Sequence, residues 1–139
     1  MRLRTLASVL ALGCGLTVSG IAVAGDATGV WMRSSGSSKI RIEPCGGALC
    51  GTVVWEKNPR KDVNNPDPAK RDEAVTGRRV LLGLKPTGTA DQWKGDVYNA
   101  EDGKTYTGYV TLQADGSLKL QGCVLGGLIC KSDSWTRAH

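Results

Sequence analysis

Residues 38–44 read "SKIRIEP". Ile40 and Ile42 fall on one side of an extended chain, and Lys39, Arg41 and Glu43 on the other. That two-residue period is the mark of a strand with one buried face. It returns in "SLKLQG" (117–122), where Leu118 and Leu120 oppose Lys119 and Gln121. "EDGK" (101–104) and "ADGS" (114–117) each set Asp-Gly between alternating runs, and these residues tolerate the positive φ a tight hairpin needs. Extending the reading along the chain predicts about eight strands, near 28–34, 38–44, 49–56, 79–85, 92–99, 104–112, 117–123 and 129–136. Consecutive short strands with tight turns form an antiparallel meander, and one with a single apolar face curls shut because closure removes its unpaired edges. The expected fold is all-β, an antiparallel barrel of about eight strands.

One segment interrupts the meander. Residues 57–79, "KNPRKDVNNPDPAKRDEAVTGRR", hold seven basic and four acidic side chains. Asp67 suits a helix N-cap, Pro68 the first helical position and Gly77 the position past the end, so a short helix over 68–76 is expected on a long charged loop. A loop of this length in a compact domain is commonly a functional lid or a flexible insert; Asp67, Arg78 and Arg79 are its candidate lid residues.

The N-terminus indicates a compartment. Arg2 and Arg4 precede an uncharged run that ends in "AVA" (22–24), the pattern of an export signal cut after Ala24. A transmembrane anchor is disfavoured, because Gly13, Gly15, Thr17, Ser19 and Gly20 interrupt the run and a span needs ~20 mostly apolar residues. Cys14 after "ALG" lacks the usual aliphatic residue of a lipoprotein signal. The expected organisation is a signal peptide, 1–24, and a single barrel domain, 25–139, in the periplasm or secreted. Without Arg2 and Arg4, the 18 Lys and Arg become 16 against 13 Asp and Glu, net +3. This surplus is too small to argue for nucleic acid.

Cleavage would leave four cysteines, Cys45, Cys50, Cys123 and Cys130, an even set that indicates two disulfides in an oxidising compartment. A zinc site fits less well: six residues separate the second pair and no histidine is near. Chain entropy favours a crossed pairing, at ~4.6 kcal/mol for a 45–130 bridge against ~2 to 2.5 for each short loop. Hairpin geometry at the two Gly-Gly turns favours the local pairs 45–50 and 123–130.

Catalysis has little material. The single histidine is His139, the last residue, and bridged cysteines supply no thiolate. Glu43, Glu56, Asp96, Glu101 and Asp102 remain as candidate carboxylates, against the plainer reading that they are solvated turn and strand-face residues. "DVNNPD" (62–67) lacks the spacing of a known calcium loop and reads more simply as turn formers. No metal or cofactor is expected. Trp55 at a strand end, with Trp93, Tyr98 and Tyr106 from a neighbouring hairpin, forms a candidate aromatic wall for a small apolar ligand. The competing reading makes all four core filler in a chain with no Phe.

The motifs "CGGALCGTVVW", "DVNNPDPAKRDEAVTGRRVLLGLKP", "WKGDVYNAEDGKTY", "DGSLKLQGCVLGGLIC" and "SWTR" together resemble the exported bacterial family known as domain of unknown function 2147. The resemblance implies a lipocalin-like (calycin-type) barrel and no established activity. "GVW", Gly29 to Trp31, is also similar to the Gly-x-Trp start of lipocalins. That likeness implies that Arg137 stacks over Trp31 and closes the barrel, a contact of ~0.5 to 2 kcal/mol; the lipocalin Thr-Asp-Tyr element is absent. The leading expectation is a non-catalytic exported barrel that binds a small, largely apolar molecule. The alternatives are an envelope interaction or inhibitor module that docks a protein partner through the basic 57–79 loop, and a carboxylate-based hydrolase.

Overall fold

The computed structural model describes residues 26–139; the expected export signal, residues 1–24, and Cys14 lie outside them. Eight strands follow one another: β1 (Gly29–Met32), β2 (Ser38–Cys45), β3 (Ala48–Glu56), β4 (Arg79–Pro86), β5 (Gln92–Asn99), β6 (Lys104–Leu112), β7 (Leu118–Val124) and β8 (Ile129–Arg137). Each pairs antiparallel with the next, and β1 pairs β8, so the sheet is a closed barrel. Every expected strand is present within a few residues of its predicted position. Among the described residues no helix is long and apolar enough to cross a membrane.

The alternation in residues 38–44 places Ile40 and Ile42 in the core, 3% and 1% exposed, while Arg41 and Glu43 face solvent. One end of the barrel is packed solid by Ile42, Leu84, Val110 and Leu118, with Trp31 beside them. The cysteines pair locally, Cys45 with Cys50 and Cys123 with Cys130, Cα atoms 5.9 and 4.1 Å apart. The first closes the β2–β3 hairpin, and the second joins residues directly opposite each other on β7 and β8.

The closing seam is short, with Trp31 opposite Arg137 and Met32 opposite Thr136. Arg137 reinforces it. Its guanidinium carbon lies 4.3 Å from the centre of the Trp31 ring, Nη1 donates to Thr28 O at 2.9 Å, and Nη2 donates to Asp26 O at 3.0 Å. Trp31, fully buried, donates its indole N–H to Ala27 O at 2.8 Å. Gly29, at φ +126°, leaves room for this: a Cβ there would come within 2.7 Å of Arg137 Nη1.

The long loop differs from expectation in one element. The helix predicted over 68–76 is a single 3-10 turn, Pro68–Lys70, capped by Asp67 accepting from Ala69 N at 3.0 Å. Beyond it the backbone pairs elsewhere: Asp62 N donates to Glu73 O at 2.9 Å, and Val75 N donates to Arg60 O at 3.0 Å. Lys61 thus bridges Ala74 as extended chain. These tertiary bonds outweigh a weak local helix preference.

Candidate functional site: a cavity at the barrel mouth

Away from the packed end the barrel is hollow. A cavity of about 620 Å³ opens there, with Ile40, Val53, Leu81, Val97, Leu120 and Trp135 among its walls. Its rim is charged. Arg33 Nε lies 3.7 Å from Asp133 Oδ2, and Arg60 Nε lies 3.2 Å from Glu56 Oε2. The Thr76 hydroxyl donates to Glu56 Oε1 at 3.1 Å, and the Trp135 indole N–H donates to Asp133 Oδ2 at 2.8 Å. An apolar chamber with a few polar groups gathered at its opening has the make-up of a small-molecule pocket.

The four aromatic candidates separate. Tyr98 and Tyr106 line the cavity. Trp93 does not: it is half-buried against the core, opposite Val110. Trp55 is 40% exposed and lies beneath the Lys39 ammonium, 5.3 Å from its ring centre. The expected aromatic wall is therefore two tyrosines, not four side chains. The reason for Trp55 is an irregularity in the β2–β3 register, where Ile40 pairs Val53 but Lys39 pairs Trp55, leaving Val54 unmatched. One extra residue reverses which side chains face inward, so Glu56 enters the cavity and Trp55 turns out.

The loop is anchored through Asp62, which is fully buried. Its carboxylate accepts the Tyr98 hydroxyl at 2.7 Å and Asn65 Nδ2 at 2.9 Å, and its Oδ2 lies 2.6 Å from Arg78 Nε. Arg78 Nη2 also reaches Glu73 Oε2 at 2.6 Å. Val75 from the loop is buried and lines the cavity. At the β5–β6 turn, Asn64 Nδ2 donates to Glu101 O at 2.8 Å, and the backbone of Asn64 approaches Gly103 so closely that no side chain fits there. Of the two arginines expected to present a basic face, Arg78 is consumed internally and only Arg79 is exposed.

The candidate carboxylates also part company. Glu43 and Asp96 are exposed and line no part of the cavity, whereas Glu56, Glu101 and Asp102 border it. The Tyr106 hydroxyl bonds the Asp102 carboxylate, which holds that carboxyl below its usual range and pushes the phenol up. Tyr98 is raised further, from 10.0 to about 12, first by burial and then by its bond to Asp62. A phenol whose folded pKa lies above its unfolded value stabilises the fold below the unfolded pKa, and the contribution is lost as pH rises through the folded one. Wild-type protein is therefore expected to lose stability between pH 10 and 12 more steeply than Tyr98→Phe; parallel melting curves across that window would exclude the linkage.

Sequence patterning does not reveal the Asp62 anchor. Tyr98 lies 36 residues away, and no local periodicity joins a loop carboxylate to a strand phenol at that range. Trp135 carries a findable signal, since alternation along β8 puts it on the same face as Asp133.

A closed eight-stranded antiparallel meander, with a first-strand Trp stacked under a last-strand Arg and a chamber open at one end, defines a lipocalin-like barrel. The solved structure described as "Protein HP1028 from the human pathogen Helicobacter pylori belongs to the lipocalin family" has a TM-score of 0.73 to this chain at 24% identity, covering 82% of this chain and 84% of that one; at this identity the likeness shows the fold. Residues 29–137 match the family described as "Uncharacterized protein conserved in bacteria (DUF2147)", and the chain belongs to it. No curated protein matches.

Proposed function

We propose that this protein binds a small, largely apolar molecule with a polar end, without catalysis. The observation that carries the reading is the cavity of about 620 Å³, within the range of small-molecule sites, ≈ 300–1,000 Å³. Its aliphatic walls would take the tail, and Arg60, Lys131 and the two tyrosines at the opening would meet the head. The 57–79 loop acts as a fixed collar more than a swinging lid, because Asp62 and Val75 are buried in it. Residues 1–24 act as a removed export signal, 25–139 form the mature domain, and the protein works in the periplasm or outside the cell. Two disulfides are compatible with that location.

Native mass spectrometry of the purified protein, followed by organic extraction and titration with a fluorescent fatty-acid probe, tests this reading. Wild type should retain or take up an apolar species, and Leu120→Trp, which fills the chamber from β7, should weaken probe uptake at least tenfold with the melting temperature largely kept. A wild-type protein that holds nothing and takes up no probe overturns the proposal. So does equal uptake by Leu120→Trp.

A further inference from the structure

Of the six large hydrophobic residues exposed among the described residues, four lie at the β7–β8 turn. Leu125 is 69% exposed, Leu128 86% and Ile129 55%, with Val124 at 39%. These residues are contiguous, and the Cys123–Cys130 disulfide clamps the base of the turn. Leu125 and Leu128, the most exposed of them, form the tip. A contiguous exposed apolar patch of this kind marks an interaction surface.

Two further observations say what covers it. Val124 and Ile129, at the base of the tip, line the cavity rim, so whatever receives the tip faces the barrel mouth. Beside the tip, Leu125 to Gly127 share an outer groove with Lys94, Lys104, Thr105, Thr107 and Tyr109, and no residue lining that groove is acidic. The Lys94 ammonium lies 5.7 Å from the Tyr109 ring centre. Lys131, one residue past the clamp, adds a cation at the cavity rim. Of the carboxylates at the mouth, Asp102 is engaged by the Tyr106 hydroxyl, Asp133 by the Trp135 indole and Glu56 by Arg60 and Thr76, while Glu101 is exposed.

We infer that the β7–β8 tip docks the barrel, mouth first, on an anionic lipid bilayer. Leu125 and Leu128 enter the interfacial region, while Lys104 and Lys131 meet lipid phosphates. Apolar side chains at a tip flanked by Lys104 and Lys131 match the two components of peripheral membrane binding, apolar burial and attraction to anionic headgroups. A protein partner would favour a flat, mixed patch over a protruding apolar tip flanked by lysines. The inference stands whether or not the cavity holds a ligand.

Co-sedimentation with vesicles of phosphatidylglycerol and phosphatidylcholine, compared with phosphatidylcholine alone, tests it. Residues 6–23 are uncharged, so the decisive comparison is among variants purified from cells expressing the full 139-residue chain. Wild type should sediment with the anionic vesicles and less so at high salt. The double variant Leu125→Asp/Leu128→Asp should bind at least tenfold more weakly, and Lys104→Glu severalfold, both with wild-type melting temperatures. Lys85→Glu, the same charge change on β4 beside Lys94 and away from the mouth, should leave binding unchanged. Wild type that ignores anionic vesicles overturns the inference, as do tip variants that bind like wild type. It also fails if Lys85→Glu weakens binding as much as Lys104→Glu, or if the tip instead drives self-association without lipid.

Discussion

Asp62→Ala is expected to lower stability by ~3–5 kcal/mol, because it leaves the Arg78 guanidinium largely buried with its buried carboxylate gone and only the exposed Glu73 beside it. The Arg78 side chain is only 14% exposed, so water cannot replace the partner cheaply. Asn65 and the Tyr98 hydroxyl lose their acceptor in the same step. For a domain of this size the melting temperature should fall by at least about 10 °C. The loop should also loosen before the barrel does, since between Arg60 and Thr76 what holds it is then the short backbone bridge at Lys61 and Ala74, the rim contacts of Asn64 and Thr76, and the buried Val75 side chain. Limited trypsinolysis at the lysines and arginines of residues 57–79 reads this separately from global melting. A variant that melts within about 2 °C of wild type and resists trypsin equally would show that Asp62 does not anchor the loop.

Trp31→Ala should cost a comparable ~3–5 kcal/mol, the range for truncating a buried tryptophan. The energetic loss is coupled to Arg137. The indole is the surface on which the guanidinium rests, and that guanidinium holds the carbonyls of Asp26 and Thr28. Arg137→Ala alone should cost ~1–3 kcal/mol, combining the cation–π contact with hydrogen bonds from a charged donor. In a double-mutant cycle the two losses should fall short of additivity by ~0.5 kcal/mol or more, as expected for groups in direct contact. Urea denaturation of the three variants measures it, and strict additivity would mean the two side chains stabilise the seam independently.

The parts of this fold that are legible in the amino-acid sequence are those whose determinants are local. Period-2 patterning in residues 38–44 and 117–122, with Asp-Gly turns, marks out all eight strands because each signal sits within a few residues. The pairing of Trp31 with Arg137 spans nearly the whole chain, and it is reached through resemblance, not through patterning. The helix expected over 68–76 does not form because its capping residues are sound locally while the backbone of 73–75 is claimed by 60–62. Trp55 departs from expectation for a different reason: strand alternation assumes unbroken register, and the unmatched Val54 is silent in the sequence. Unbroken β5–β6 register puts Tyr106 and Val97 on the cavity face together, whereas Tyr98 belongs to the other face by alternation and reaches the edge of the opening near the end of β5, where its hydroxyl meets Asp62.

The unmatched Val54 also governs how this barrel can be re-engineered. Along β3, Leu49, Gly51 and Val53 address the interior below it, and Glu56 addresses the interior above. A binding site grafted onto β3 by simple alternation would present its uppermost group to bulk solvent, whereas one counted from the far side of Val54 would present it to the guest.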